Sequence, residues 1–238
     1  MRPAFYALRQ GGWRDYVTLL HVPYTAWHLS YVVVGGCLAV EVSWGRLGAT
    51  VLAFFLAMGI GAHAFDELAG RPLRTAIPSR VLIALAVTSL LAACAIGVAV
   101  AVSFSLWLLP LIAVGAFLVP AYNLELFHGR FHSDLWFALA WGAFPVVTGA
   151  VACTGTIRLA AVIAAAWATV LSLAQRRLST PVRHSRRDVL AVTGELELSD
   201  GGREAITREV LVAAPEAALR LLAVATILIA AALVALRL

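Results

Sequence analysis

One short motif, His63-Ala-Phe-Asp66-Glu67, groups an imidazole with two carboxylates at the end of a hydrophobic stretch. On a continuous helix the three side chains would share one face, because residues three and four positions apart lie on the same side. Such a set could hold Mg²⁺, Mn²⁺, iron or zinc. In the turn that follows, Arg71 and Arg74 could bind a phosphate. Alternatively, Asp66 and Glu67 pair with these arginines at the membrane interface.

A second motif places Glu125, His128 and His132 at helical spacing and ends at Asp134. Glu-x-x-His is the spacing found in di-metal helical bundles, so the motif predicts a second group of metal ligands. The alternative is a polar loop whose histidines lie among lipid headgroups. His28 falls inside the first apolar segment and could be a ligand, an orienting group or a helix-packing hydrogen-bond donor.

Membrane helices must position these motifs. Of the 238 residues, 62% are hydrophobic and 13% charged, and the mean hydropathy is +0.90, whereas soluble domains are nearer half apolar and one quarter charged. Seven segments approach the roughly 20 apolar residues that cross a bilayer, and none alternates as a barrel strand would. We therefore predict one all-α, polytopic membrane domain, with residues 175–216 as a cytoplasmic loop between the last two helices. The segments are Val17–Val40, Leu47–Ala64, Val81–Phe104, Leu106–Ala121, Leu135–Cys153, Leu159–Ala174 and Leu221–Leu236.

The arginines predict the orientation of this bundle. All 18 basic residues are arginines, and only Arg46, Arg158 and Arg237 fall on the side opposite the other 15. By the positive-inside rule the N-terminus is cytoplasmic, the C-terminus lies outside the cell membrane, and both motifs face the cytoplasm. Because the arginines lie between apolar segments and not in a compact basic module, the net charge of +5 does not indicate nucleic-acid binding. Arg176 and Arg177 open the predicted loop and could bind phosphate.

The segment from Ala62 to Ile77 resembles the UbiA superfamily of intramembrane prenyltransferases. Asp66 matches an aspartate of the family's first Asn/Asp-rich motif, Arg71-Pro72-Leu73 matches the element behind it, and Tyr122 resembles a tyrosine in the corresponding cytoplasmic loop. The resemblance covers helix order and loop placement as far as the fifth predicted helix. It implies a UbiA-like fold, a Mg²⁺ ion and an isoprenoid or other lipid substrate, with Asp66, Glu67, Arg71 and Tyr122 as catalytic residues.

The chain also departs from that family. The family has nine helices, against seven predicted here, and its second aspartate-rich motif is replaced by Gln175-Arg-Arg-Leu-Ser-Thr. His128 and His132 are not part of the family pattern.

Three functions therefore stay open. The first is a UbiA-like enzyme that acts on an isoprenoid or other lipid, with a divalent metal at Asp66 and Glu67. Phosphate would bind the arginines that follow the first motif and those that open the predicted loop. The second is an oxidative or hydrolytic membrane metalloenzyme, in which iron or zinc is preferred because imidazoles are ligands. The third is a non-catalytic transporter or scaffold. The first is our working prediction.

The predicted metal ligands are His63, Asp66, Glu67, Glu125, His128 and His132, and the predicted phosphate ligands are Arg71, Arg74, Arg176 and Arg177.

Overall fold

A computed structural model describes residues 2–238 as a mostly helical bundle. Five of its helices are long and apolar enough to cross a membrane, and one further apolar helix is shorter. The five are Trp44–Leu68, Ser79–Ser103, Asp134–Thr154, Leu159–Arg187 and Arg208–Arg237, and the shorter one is Leu108–Asn123. The predicted α-helical architecture is confirmed, and five of the seven predicted segments coincide with part or all of a helix of spanning length. In chain order the elements are α1 (Trp13–Leu19), α2 (Val22–Cys37), α3 (Trp44–Leu68), α4 (Ser79–Ser103), α5 (Leu108–Asn123), α6 (Asp134–Thr154), α7 (Leu159–Arg187), β1 (Glu195–Glu197), β2 (Arg203–Ala205) and α8 (Arg208–Arg237).

Helix α2 lies at the centre of the bundle, packed against α6 and α8. Its Trp27 and Tyr31 are fully buried, and the Trp27 indole N–H donates a hydrogen bond of 2.7 Å to the Tyr31 hydroxyl. Where α2 crosses α6, Gly35 and Gly149 allow the two backbones to touch, since a Cβ on either would collide with a carbonyl of the facing helix. Small residues at such crossings are typical of membrane helices.

Two of the long helices contain a π-helical segment, Phe55–Ala62 in α3 and Leu139–Ala143 in α6. The second segment ends just before Pro145, which has no N–H to donate to the carbonyl of Trp141 four residues earlier. Segments of this kind often occur at functional sites. Here they bring Met58 and Trp141 into one cluster of packed side chains.

The predicted loop at residues 175–216 is largely helical. Helix α7 continues to Arg187 and α8 begins at Arg208, so residues 188–207 alone connect them, through the β1–β2 hairpin. Arg186 donates a 2.9 Å hydrogen bond to the Glu216 carboxylate and thereby joins the two helices. The extension of α7 matters for the site because it carries arginines over the end of the bundle.

Candidate functional site

A polar cavity of about 330 Å³ lies at the end of the bundle where α3 and α5 stop, α6 begins and α7 extends beyond the apolar core. Its polar lining residues come from the four helices α2, α3, α5 and α7, from the segment before α1, and from the connections before α2 and after α5. They are Tyr6, His21, Tyr24, His28, His63, Asp66, Tyr122, Asn123, Glu125, His132, Gln175, Arg176, Ser179, Arg183 and Arg187. The sequence predicted His28, His63, Asp66, Tyr122, Glu125, His132 and Arg176 among these.

The last turns of α3 supply His63 and Asp66. The Nδ1 of His63 lies 3.0 Å from the carbonyl of Gly59, inside the π-helical segment of the same helix. Since a carbonyl only accepts hydrogen bonds, Nδ1 carries the proton and the neutral ring keeps a lone pair on Nε2. The His63 ring stacks on His21, with ring centroids 4.0 Å apart.

His28 has the same arrangement on α2. Its Nδ1 lies 2.8 Å from the carbonyl of Trp141, the group that Pro145 leaves without its usual helical donor. Of the three predicted roles for His28, the helix-packing hydrogen bond is therefore present. Because the residue also lines the cavity, its other ring nitrogen stays available to a bound molecule.

Residues 3–6 cover the cavity as a short strap ahead of α1. The Tyr6 hydroxyl lies 3.1 Å from Nδ1 of His21. Burial raises the pKa of the Tyr6 phenol above its ordinary value of 10, and the neighbouring Tyr24 raises it further. The phenol therefore stays protonated and shares a hydrogen bond with the His21 imidazole. No motif or periodicity in the sequence predicted this strap.

Helix α7 brings three arginines to the cavity. Arg176 is already paired, because its Nε donates to the Asp134 carboxylate at 3.0 Å. Arg187 and Arg183 are the strongest electrostatic partners of Asp66. Asp134, which ends the second motif, is thus an ion-pair partner at the start of α6.

Four buried polar atoms of the cavity lining have no hydrogen-bond partner among the described residues: His21 Nε2, Tyr122 Oη, Gln175 Oε1 and Arg187 Nε. A buried polar group left without a partner costs roughly 1–3 kcal/mol. Several such atoms around one cavity indicate that a bound molecule, or water, completes their hydrogen bonds.

An apolar groove of about 90 Å³ adjoins the polar cavity and lies among α3, α4, α5 and α6. The groove and the cavity share Met58 and Trp141 as wall residues. Met58 and Trp141 are both buried and separate the polar space from the apolar one.

Glu67 does not line the cavity, although it shares a helix end with Asp66. It is fully buried and accepts hydrogen bonds from the Leu73 N–H at 2.9 Å, the Thr75 N–H at 2.8 Å and the Thr75 hydroxyl at 2.9 Å. These contacts hold the turn between α3 and α4. Three donors occupy the carboxylate, so the structure does not support Glu67 as a metal ligand or a catalytic group.

The arginines of that turn also point away from the cavity. Arg71 donates to the Ile77 carbonyl at 2.6 Å and to the Ser79 hydroxyl at 2.7 Å. Arg74 and Arg177 are exposed, and neither lines the cavity. The structure therefore brings Arg176 alone of the four predicted phosphate ligands to the cavity.

The expectation that Glu125, His128 and His132 share one helix face is wrong. Helix α5 ends at Asn123, and the following turns hold Glu125 and His128 at positive φ. His128 is exposed outside the cavity, whereas His132 stacks on the Tyr122 ring at 4.6 Å and lies 3.8 Å from the Glu125 carboxylate. Gly129 lies within these turns and has positive φ itself.

Within residues 2–238, no three His, Cys, Asp or Glu side chains gather in a way that could hold a metal ion. Asp66 and Glu125 are the carboxylates of the cavity lining, and the Glu125 side chain is 63% exposed at the rim. The cavity residues therefore do not fit the Mg²⁺ ion that the UbiA resemblance implies, nor the iron or zinc that a metalloenzyme would hold.

Comparisons of the chain with known protein families, with curated proteins and with solved structures gave no match. The class of protein is therefore defined by its fold and its cavity. Five long apolar helices indicate a multi-pass membrane protein, and its polar cavity meets an apolar groove at one end of the bundle.

Proposed function

We propose that this chain is a multi-pass membrane enzyme, similar to the UbiA prenyltransferases, that acts on an isoprenoid or other long-chain lipid. One observation carries the proposal: a cavity with four unpartnered buried polar atoms shares two wall residues with an apolar groove. Ligand pockets are typically apolar with a few convergent polar groups. A lipid with an anionic head matches both halves of this space.

The arginine distribution supports a cavity that faces the cytoplasm. The positive-inside rule assigns the arginine-rich end of a bundle to the inner face of the cell membrane. Arg176, Arg183 and Arg187 belong to that end, together with the lining residues of α3 and α5. The C-terminal end of α8 then lies outside.

In this proposal the arginines stabilise negative charge that develops on a departing phosphate, an effect that is usually the largest in such chemistry. His63 and Asp66 lie against the same space and would orient, or take a proton from, the group that attacks the lipid. Tyr122 would donate a hydrogen bond to the substrate. No step is assigned to a metal, because the cavity residues do not form a group that would hold one.

Two measurements test this function on the full chain purified in detergent. Lipids extracted from the protein are identified by mass spectrometry, and the protein is then incubated with a prenyl pyrophosphate and candidate acceptors while pyrophosphate release is followed. We expect an isoprenoid lipid to co-purify and turnover to be lost in Asp66→Ala. The control, Arg80→Gln, alters an exposed arginine at the start of α4 and should keep full turnover. Retention of lipid without turnover would favour a transporter, and absence of both would refute the proposal.

A further inference from the structure

We infer that the polar cavity binds the phosphate or diphosphate of a lipid ester through Arg183 and Arg187, with no divalent metal between protein and phosphate. This inference rests on the proposed function and deepens it. It departs from what the UbiA resemblance implies, namely a Mg²⁺ ion held by carboxylates.

The charges around the cavity are unbalanced in favour of cations. Arg176 is neutralised by Asp134 at 3.0 Å. Neither Arg183 nor Arg187 forms an ion pair with a carboxylate among residues 2–238, although both line the cavity together with Asp66. Inside the cavity these two guanidinium groups face the carboxylate of Asp66, while that of Glu125 lies at the exposed rim, so the partly buried space favours an anion.

The unpartnered atoms fit the same anion. Arg187 Nε and Tyr122 Oη each carry a hydrogen to donate. Nε2 of His21 is also unpartnered, and it donates in the tautomer whose Nδ1 accepts from the Tyr6 hydroxyl. Phosphate oxygens accept hydrogen bonds without donating any when fully ionised, so they match a lining rich in donors.

The carboxylates that could hold a metal are engaged elsewhere. Glu67 is occupied by three donors, Asp134 by Arg176, and Glu125 lies beside His132 at the exposed rim. Mg²⁺ requires several oxygen ligands in near-octahedral geometry. Two guanidinium groups next to Asp66 would also repel a divalent cation.

The test measures binding of inorganic pyrophosphate and of a prenyl pyrophosphate to the purified full chain, by calorimetry, with EDTA present and then with Mg²⁺ added. We expect both to bind in EDTA, the prenyl ester more tightly because its chain fills the apolar groove. Arg183→Gln and Arg187→Gln should each weaken binding about tenfold or more, as expected for a lost charged hydrogen bond. Arg80→Gln should bind as the unaltered chain does.

Arg183→Lys and Arg187→Lys keep the positive charge, so they show whether weaker binding in the glutamine variants reflects the site or a failure to fold. We expect them to melt like the unaltered chain and to retain part of the affinity. Binding that appears only with Mg²⁺ would overturn the inference and leave the proposed function standing. A co-purifying lipid without phosphate would overturn it as well. Equal affinity for inorganic and prenyl pyrophosphate would instead refute the use of the apolar groove, on which the proposed function rests.

Discussion

Replacing Glu67 with alanine should destabilise the protein while leaving the cavity able to bind its ligand. The carboxylate is fully buried and accepts three hydrogen bonds from Leu73 and Thr75, which are themselves buried. Alanine would leave two backbone N–H groups without an acceptor, at about 1–3 kcal/mol each, so we expect a loss of roughly 2–6 kcal/mol in the free energy of unfolding. Glu67→Gln keeps one acceptor oxygen and should lose roughly half as much.

The loss can be measured as the shift in the unfolding midpoint when the protein in mixed micelles is titrated with a denaturing detergent. Glu41→Ala, at an exposed carboxylate between α2 and α3, is the matched control and should change stability by less than about 0.5 kcal/mol. Pyrophosphate affinity of the folded Glu67→Ala protein should equal that of the unaltered chain. A variant that unfolds like the control but no longer binds pyrophosphate would refute this reasoning and indicate that Glu67 contacts the ligand.

Three further substitutions separate binding from folding. Asp66→Asn removes the carboxylate that competes for Arg183 and Arg187, so calorimetry should detect severalfold tighter pyrophosphate binding; weaker binding would indicate that Asp66 holds a metal after all. Tyr122→Phe removes a buried, unpartnered hydroxyl, so the melting temperature should stay level or rise while pyrophosphate binding weakens about threefold to tenfold. Tyr16→Phe, at an exposed tyrosine of α1, should alter neither quantity. Gly149→Ala places a methyl group against the α2 backbone and should cost roughly 1–3 kcal/mol in the same unfolding titration, whereas Gly48→Ala, with open space around it, should cost nothing. Equal unfolding midpoints for the two alanine variants would contradict the close packing of α2 on α6.

The apolar segments and the end of α3 could be predicted because they depend on local pattern. Long hydrophobic runs specify helices in lipid whatever their neighbours are. His63 and Asp66 face the same cavity because positions three apart share a helix face. Glu67 satisfies the same spacing, but its partners come from the turn that follows the helix, and no periodicity reveals such a tertiary contact.

Arg183 and Arg187 were not among the predicted phosphate ligands because the predicted segment ended where hydropathy falls, at Ala174. The helix continues to Arg187 as an amphipathic one. Arg176, Arg183 and Arg187 are spaced i, i+7 and i+11, which is one helical face, so this signal was present in the sequence. The roles of Tyr6 and His21 depend on the strap folding back across the bundle and had no comparable signal.

The two π-helical segments determine how the polar cavity and the apolar groove stay aligned when the chain length of a helix changes. In a regular α-helix, one residue more or less rotates everything beyond it by about 100° and shifts it by about 1.5 Å. Phe55–Ala62 accommodates such an extra residue between the groove-facing part of α3 and its His63–Asp66 end. Removing one residue there would return the segment to regular α-helical turns and leave the His63 imidazole and the Asp66 carboxylate facing the cavity. A single-codon deletion within Phe55–Ala62 should thus preserve the site, whereas a deletion in a regular turn of the helix would rotate these side chains relative to the groove-facing part.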